Sequence, residues 1–286
     1  MSPLKQLTQQ ERINFLLTNR IPRRWATLFF GWFSRIENPL LCKVSLAAWK
    51  LFADDLDLHE SKQTRFKSLH ECFIRELKEG ARPIDADPQV MVSPCDAVVG
   101  AHGRIENDTL FQAKGFPYEA LDLLGDPERV ARFRDGTYVT LRLKSTMYHR
   151  FHAPYDCAVR EVNYISGDTW NVNPIALERV ERLFCKNERA VIDLEVSESR
   201  PPLTLVPIAA ILVASLRLHF LEQNLELRYK GPNRIACDAA FTKGEEMGYF
   251  QHGSTIVVLA HKDYQLHEAV AFGDRIRMGQ PLLRLP

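Results

Sequence analysis

Lys243-Gly244-Glu245-Glu246-Met247-Gly248-Tyr249-Phe250-Gln251-His252-Gly253-Ser254-Thr255-Ile256-Val257-Val258-Leu259-Ala260 joins a glycine-punctuated segment to an apolar run. The run Thr255 to Ala260 is rich in β-branched and aliphatic residues and short enough for a buried strand. A serine directly after a glycine can attack the carbonyl before it when the turn is strained and a base is near. The same triplet also suits a β-turn whose hydroxyl bonds its own backbone. The nucleophile elbow G-x-S-x-G is excluded, because Ile256 stands where the last glycine belongs. The triplet alone leaves the two readings open.

Further strands surround this one. Thr137 to Leu143 alternates, with Val139, Leu141 and Leu143 opposed to Tyr138, Thr140 and Arg142. Ala190 to Val196 sets Ala190, Ile192, Leu194 and Val196 on one face, and Leu225, Leu227 and Tyr229 alternate again. The strand-like pattern begins at Val90, after the turn-rich Ala81 to Pro88. Helical spacing interrupts it at Tyr118 to Phe133, broken near Gly125 and Pro127, and at Pro174 to Phe184, where Asn173 is the cap. A short helix is predicted over Phe66 to Leu77, with Leu69, Phe73 and Leu77 on one side, after an acidic linker or helix end at Asp54 to Glu60. Helices first and antiparallel-type strands afterwards make an α+β chain, with a barrel-like or sandwich body.

Length and composition fit one large soluble domain, or one domain with an appendage: 286 residues, 45% hydrophobic and 26% charged. The net charge of +1 conceals an asymmetry. The first fifty residues carry eight Lys or Arg and two acids, hence +6, against −5 for the remainder. Helical spacing is expected at residues 10 to 19 and 24 to 52, the second divided by Pro39. Trp25, Leu28, Phe29, Trp32 and Phe33 share one face, and Leu40, Val44, Ala47, Ala48 and Leu51 continue one after the proline. An apolar helix face ordinarily turns toward a core. Basic residues such as Arg23, Arg24 and Arg35 beside Trp and Phe also suit an anionic membrane surface. No apolar run reaches bilayer-spanning length and no signal-peptide pattern is present, so membrane contact is expected to be peripheral. Cys42, Cys72, Cys95, Cys157, Cys185 and Cys237 form no C-x-x-C pair and read as thiols of a reducing compartment.

Two other stretches hold residues suited to chemistry. Ser93-Pro94-Cys95-Asp96 sets an acid at a strand end, where it can orient a histidine or close an Asx-turn. Met147-Tyr148-His149-Arg150-Phe151-His152-Ala153-Pro154 follows the strand at 137 to 143 and reads as a loop. Its two histidines could act as base and proton donor or be structural. A metal pair lacks a third nearby ligand, and no metal is expected.

Taken together and in order, several stretches resemble the phosphatidylserine decarboxylase family. They are Arg82-Pro83-Ile84-Asp85, Ser93-Pro94 with Asp96, Gln112-Ala113-Lys114-Gly115, and Tyr148-His149-Arg150 with His152 and Pro154. They continue with Gly167-Asp168, Val172-Asn173, Asn187-Glu188-Arg189, Lys243-Gly244, Glu246-Met247-Gly248 with Phe250, Gly253-Ser254-Thr255 and Met278-Gly279-Gln280-Pro281. The chain departs from the family pattern at Ala97, where glycine is common, and at His252, where leucine is usual in the bacterial form.

The resemblance implies a self-processing triad of Asp96, His152 and Ser254. Asp96 would orient His152, and His152 would take the Ser254 proton. Attack on the Gly253 carbonyl, an N-to-O shift and elimination would divide the chain between 253 and 254 into a long chain 1–253 and a short chain 254–286. Ser254 would become a covalent pyruvoyl cofactor, which forms a Schiff base with phosphatidylserine and accepts the electrons released with carbon dioxide, leaving phosphatidylethanolamine. His149 would handle the proton at the reacting carbon. The implied layout is a helical docking region at 1–62 and a catalytic domain at 63–286. The implied location is the cytoplasmic side of a bacterial cell membrane, held peripherally. Expected partners are phosphatidylserine and the anionic membrane surface. The two product chains would stay associated, a homodimer is allowed, and no nucleic acid is involved. The alternatives are a lipid-binding relative that does not mature and a pyruvoyl decarboxylase of a soluble amino acid.

Overall fold

The computed structural model describes residues 22–52, 56–112, 116–197, 200–211, 215–251 and 254–285. The helix expected at 10 to 19, together with His252 and Gly253, lies outside them.

Two amphipathic helices come first, α1 (Arg23–Ser34) and α2 (Pro39–Phe52). Asn38 separates them, its side chain accepting from the amides of Leu40 and Leu41 at 3.0 Å. Proline then opens α2, where its missing N–H leaves no bond unmade. Five short helices follow among the described residues: α3 (Leu69–Phe73), α4 (Ala120–Leu124), α5 (Pro127–Arg132), α6 (Pro174–Leu177) and α7 (Leu183–Lys186). The helix expected over Phe66 to Leu77 is therefore a single turn and a half. Its chain leaves helical geometry at Ile74, and Leu77 bridges Ser61 instead. The helix expected over Tyr118 to Phe133 does break at Gly125, and Tyr118 belongs to a strand. Pro174 to Phe184 likewise divides, with Asn173 capping its first piece through Ala176 N at 2.8 Å.

The central sheet has eight antiparallel strands in the order β12 (Arg234–Phe241), β7 (Cys157–Ile165), β8 (Arg189–Val196), β9 (Leu203–Ala209), β14 (Ser254–Ala260), β5 (Thr137–Leu143), β2 (Ala97–Arg104) and β16 (Arg275–Ile276). A four-stranded sheet runs β11 (Leu225–Glu226), β10 (Ser215–Leu218), β13 (Glu246–Phe250) and β6 (Arg150–His152). A small sheet joins β1 (Val90–Val92), β17 (Pro281–Arg284) and β15 (Gln265–Leu266), and a hairpin pairs β3 (Thr109–Phe111) with β4 (Pro117–Glu119). Among the described residues no sheet closes into a barrel; the sandwich half of the expectation holds.

The central sheet is covered on both faces. Ile256 and Val258 of β14 pack with Phe151, Leu216, Met247 and Phe250 of the smaller sheet. Val257 and Leu259 pack with Leu123, Leu124, Leu177 and Phe184 of the short helices and with Phe133, just past α5. This accounts for β5. Its alternation suggests one wet face, yet Tyr138 and Thr140 are buried too. A strand between two packed layers must be dry on both sides.

Helices α1 and α2 lie outside this sandwich, and α1 is turned around. Its buried residues are Thr27 and Ser34, while Trp25 is 77% exposed and Trp32 62%. Polar contacts tie it down. The Arg23 guanidinium donates to both oxygens of Asp168 at 3.2 and 2.5 Å and stacks on Trp170 at 3.7 Å. Arg24 donates to the Leu227 carbonyl at 3.2 Å, and Arg35 to Oε1 of Gln251 at 2.5 Å. No described helix is long and apolar enough to cross a membrane.

Candidate active site

Register brings the expected residues to one end of β14. Ser254, its first residue, lies opposite Leu143 on β5 and Ala209 on β9. From Leu143 the chain turns through 144–149 into β6, which pairs with β13 so that His152 faces Glu246. The Phe250 amide donates to the His149 carbonyl at 2.9 Å. The strand before the Gly253–Ser254 bond is thus laced to the segment carrying the two histidines, and the strand after it pairs with β5, which leads into that segment. Sequence reading makes residues 147 to 154 a loop. Residues 150–152 are strand, and their partner lies almost a hundred positions away, beyond the reach of local pattern.

His152 has a defined proton arrangement. Its Nδ1 lies 2.9 Å from the Gly244 carbonyl, and a carbonyl can only accept, so Nδ1 carries the hydrogen. Nε2 then holds the lone pair and accepts from the Tyr148 hydroxyl at 3.0 Å. Burial pushes the pKa of His152 down, against the opposing Gly244 bond and the Glu246 charge, so the ring is a neutral base. Burial also pushes the Tyr148 hydroxyl well up, so it stays a donor. Gly244 can hold this carbonyl because it sits at φ +86°, and a Cβ there would meet Ile84 at 2.8 Å.

Asp96 is buried just before β2 and is already fully engaged. Oδ1 accepts from Arg82 Nε at 2.8 Å and from the Met278 amide at 2.9 Å; Oδ2 accepts from Arg82 Nη2 at 2.6 Å. Arg82 also donates to Glu60 at 2.8 Å. Bidentate pairing of this kind fixes both partners. Asp96 makes no hydrogen bond to His152; the acceptor that orients the ring is the Gly244 carbonyl. The two segments still touch, since the His152 amide donates to the Pro94 carbonyl at 2.8 Å. The Asp96 charge reaches His152 as a weak pull toward the protonated form.

His149 is fully buried. Nδ1 lies 2.8 Å from the Met147 carbonyl, which again assigns the hydrogen to Nδ1 and the lone pair to Nε2. That Nε2 is buried without a partner. The ring centroid of Phe73 is 4.0 Å away, and Trp49 of α2 stacks on Phe73 at 6.1 Å. Burial pushes the His149 pKa down to about 3, opposed by the Met147 bond.

Ser254 is buried as well, and its hydroxyl has no partner. A buried, unbonded hydroxyl is unfavourable in a finished core, and such groups are kept where chemistry uses them. The arrangement supplies the unbonded hydroxyls of Ser254 and its neighbour Thr255 and two neutral imidazoles, each with Nε2 as the basic atom. Acyl transfer and proton transfer are within its means. Sequence reasoning assigns no role to Tyr148, Arg82, Gly244 or Phe73. Tyr148, Arg82 and Gly244 do lie within the stretches that carry the resemblance, but a backbone carbonyl or a ring stack leaves no signature in a motif.

Comparison with known proteins agrees in extent and in identity. The family described as phosphatidylserine decarboxylase matches residues 69–284. A phosphatidylserine decarboxylase proenzyme of Vibrio cholerae serotype O1 is 39% identical over 235 residues, covering 79% of this chain and 81% of the relative. The protein of that name from Vibrio parahaemolyticus is 36% identical over 286 residues, 95% and 96% of the two chains. One from Sodalis glossinidius is 32% identical over 285 residues, 95% of each.

Proposed function

The chain belongs to the phosphatidylserine decarboxylase family and is a carboxy-lyase, and we propose that it matures by cutting itself at Gly253–Ser254 and then decarboxylates phosphatidylserine to phosphatidylethanolamine. The observation that carries this reading is the buried, unpartnered Ser254 hydroxyl at the start of β14, a few residues beyond β13, the strand that pairs with the segment carrying His149 and His152. Neutral His152 offers Nε2 as the base for the Ser254 proton once Tyr148 gives way. The serine oxygen bonds the Gly253 carbonyl carbon as the peptide nitrogen leaves it, forming an ester. Loss of the Ser254 α-proton expels Gly253 as a carboxylate, and water then releases the nitrogen as ammonia.

The residues fit the pyruvoyl group that this leaves at position 254. Bound there, it supplies a carbonyl that condenses with an amine and takes up the electrons freed with carbon dioxide. His149, with its Nε2 unpartnered, is the residue proposed to hold the proton for the reacting carbon. Asp96 supports the site through Arg82 and the Met278 amide, holding the 93–96 turn against His152. The outward aromatic face of α1 and exposed Leu40, Val44 and Leu51 of α2, beside the +6 N-terminal charge, support peripheral docking on an anionic membrane on its cytoplasmic side.

Intact mass of the purified protein tests the maturation. The expected result is two chains, the smaller 33 residues long and blocked at its N-terminus, with Ser254→Ala remaining whole. A single uncut wild-type chain that releases no carbon dioxide from phosphatidylserine in detergent micelles would sink the reading.

A further inference from the structure

Between the inner side of α1 and the strands β10 and β11 lies a cavity of about 430 Å³. Its walls include Trp32 and Arg35 from α1, and Ser215, Glu226, Leu227 and Arg228 from the sheet side. We propose that this cavity receives the polar headgroup of a glycerophospholipid, with Arg228 and Arg35 facing its phosphate and Ser215 donating to it. The proposal rests on the decarboxylase reading and gives the substrate its place.

Three observations support it independently. First, Ser215 is 3% exposed and its hydroxyl has no partner, so the wall contains a buried donor awaiting an acceptor. Second, the charges suit the net anionic phosphoserine headgroup, which carries a phosphate, a carboxylate and one ammonium. The two guanidiniums, Arg35 and Arg228, against the one carboxylate, Glu226, leave this wall net positive, which suits the headgroup's two anionic groups. Third, the cavity abuts the chain that leads into Ser254. Gln251 donates its amide to the Ser215 carbonyl at 3.2 Å and accepts from Arg35 at 2.5 Å. A headgroup held there lies beside the chain three residues before Ser254. Trp32, which is 62% exposed, and the exposed Trp25 and Phe29 continue outward along α1, where acyl chains would leave the cavity for the bilayer.

The test uses the full-length chain in two forms. Uncleaved Ser254→Ala is titrated calorimetrically with glycerophosphoserine and, separately, with inorganic phosphate. The cleaved enzyme is assayed on phosphatidylserine in detergent micelles. Adding Arg228→Ala is expected to weaken glycerophosphoserine binding about tenfold, the scale of one charge-assisted hydrogen bond. In the cleaved enzyme the same change should raise KM similarly, with kcat and self-cleavage unaltered, and Arg228→Lys should restore part of the loss. Equal glycerophosphoserine affinity with and without Arg228, or phosphate binding as tightly as glycerophosphoserine, would overturn the headgroup site. An unchanged KM in an active Arg228→Ala enzyme would remove the cavity and leave the decarboxylase standing. Arg228-dependent glycerophosphoserine binding in a wild-type protein that never decarboxylates would do the reverse.

Discussion

Helix α1 and strand β14 are both apolar runs with opposite fates. In β14 all seven residues are buried, and side chains on both faces meet packed layers. In α1 the residues that go inward are Thr27 and Ser34, while Trp25, Phe29 and Trp32 face out. Hydrophobic burial holds the strand. Specific polar contacts hold the helix: Arg23 on Asp168 and Trp170, Arg24 on Leu227 and Arg35 on Gln251. The lesson is that apolar content says a surface wants to leave water, without saying where it goes. The strand finds its own protein, and the helix is left with its aromatic side facing out.

The largest test of that difference is stability. Ile256→Ala in uncleaved Ser254→Ala protein should lose about 2–5 kcal/mol by urea denaturation, as a cavity opens in a dry core. Trp25→Ala should change stability by less than about 0.5 kcal/mol, as for other exposed positions. Equal losses would mean that α1 is part of the core.

The next test lies where the second outer helix, α2, reaches the histidine segment, at the Trp49–Phe73–His149 contacts. Phe73→Ala should leave self-cleavage complete and lower kcat about tenfold at unchanged KM, on the scale of a mispositioned proton-transfer group. Because Phe73 helps keep water from His149, the acid limb of the rate profile should move to higher pH, and Phe73→Leu should largely restore it. A normal kcat in Phe73→Ala would separate the helices from the chemistry. Flotation with anionic vesicles is the corresponding test of the outer face. Trp25→Ala with Phe29→Ala should reduce partition about tenfold, near 1.4 kcal/mol, and undiminished binding would assign docking elsewhere.

Acid titration reads two buried groups, with opposite signs. His149 titrates near 3 when folded and at its ordinary 6.5 when unfolded. The unfolded chain therefore binds more protons between these values, and stability falls as pH drops from 6.5 toward 3. His149→Asn should flatten that slope. Glu188, raised from 4.5 to about 7 chiefly by burial, accepts from the Tyr164 hydroxyl at 2.7 Å. Its folded form keeps the proton longer, so its contribution is present below 4.5 and is lost as pH rises through 7. Glu188→Gln should remove that loss; an unchanged slope would place Glu188 in contact with water.

Much was legible in the residues themselves. The strands at 137–143, 190–196 and 255–260, the division at Pro39 and the Asn173 cap follow from local rules, because period, proline and capping act within a few residues. The likeness of ordered motifs marks Asp96, His149, His152 and Ser254. Tertiary structure alone decided how they meet. It paired β6 with β13, gave the His152 Nδ1 hydrogen to the Gly244 carbonyl, tied Asp96 to Arg82, and turned the aromatic side of α1 outward. The reason is physical: side-chain type and spacing are written along the chain, but a hydrogen-bond partner or the facing of a helix depends on what distant segments bring to the same place.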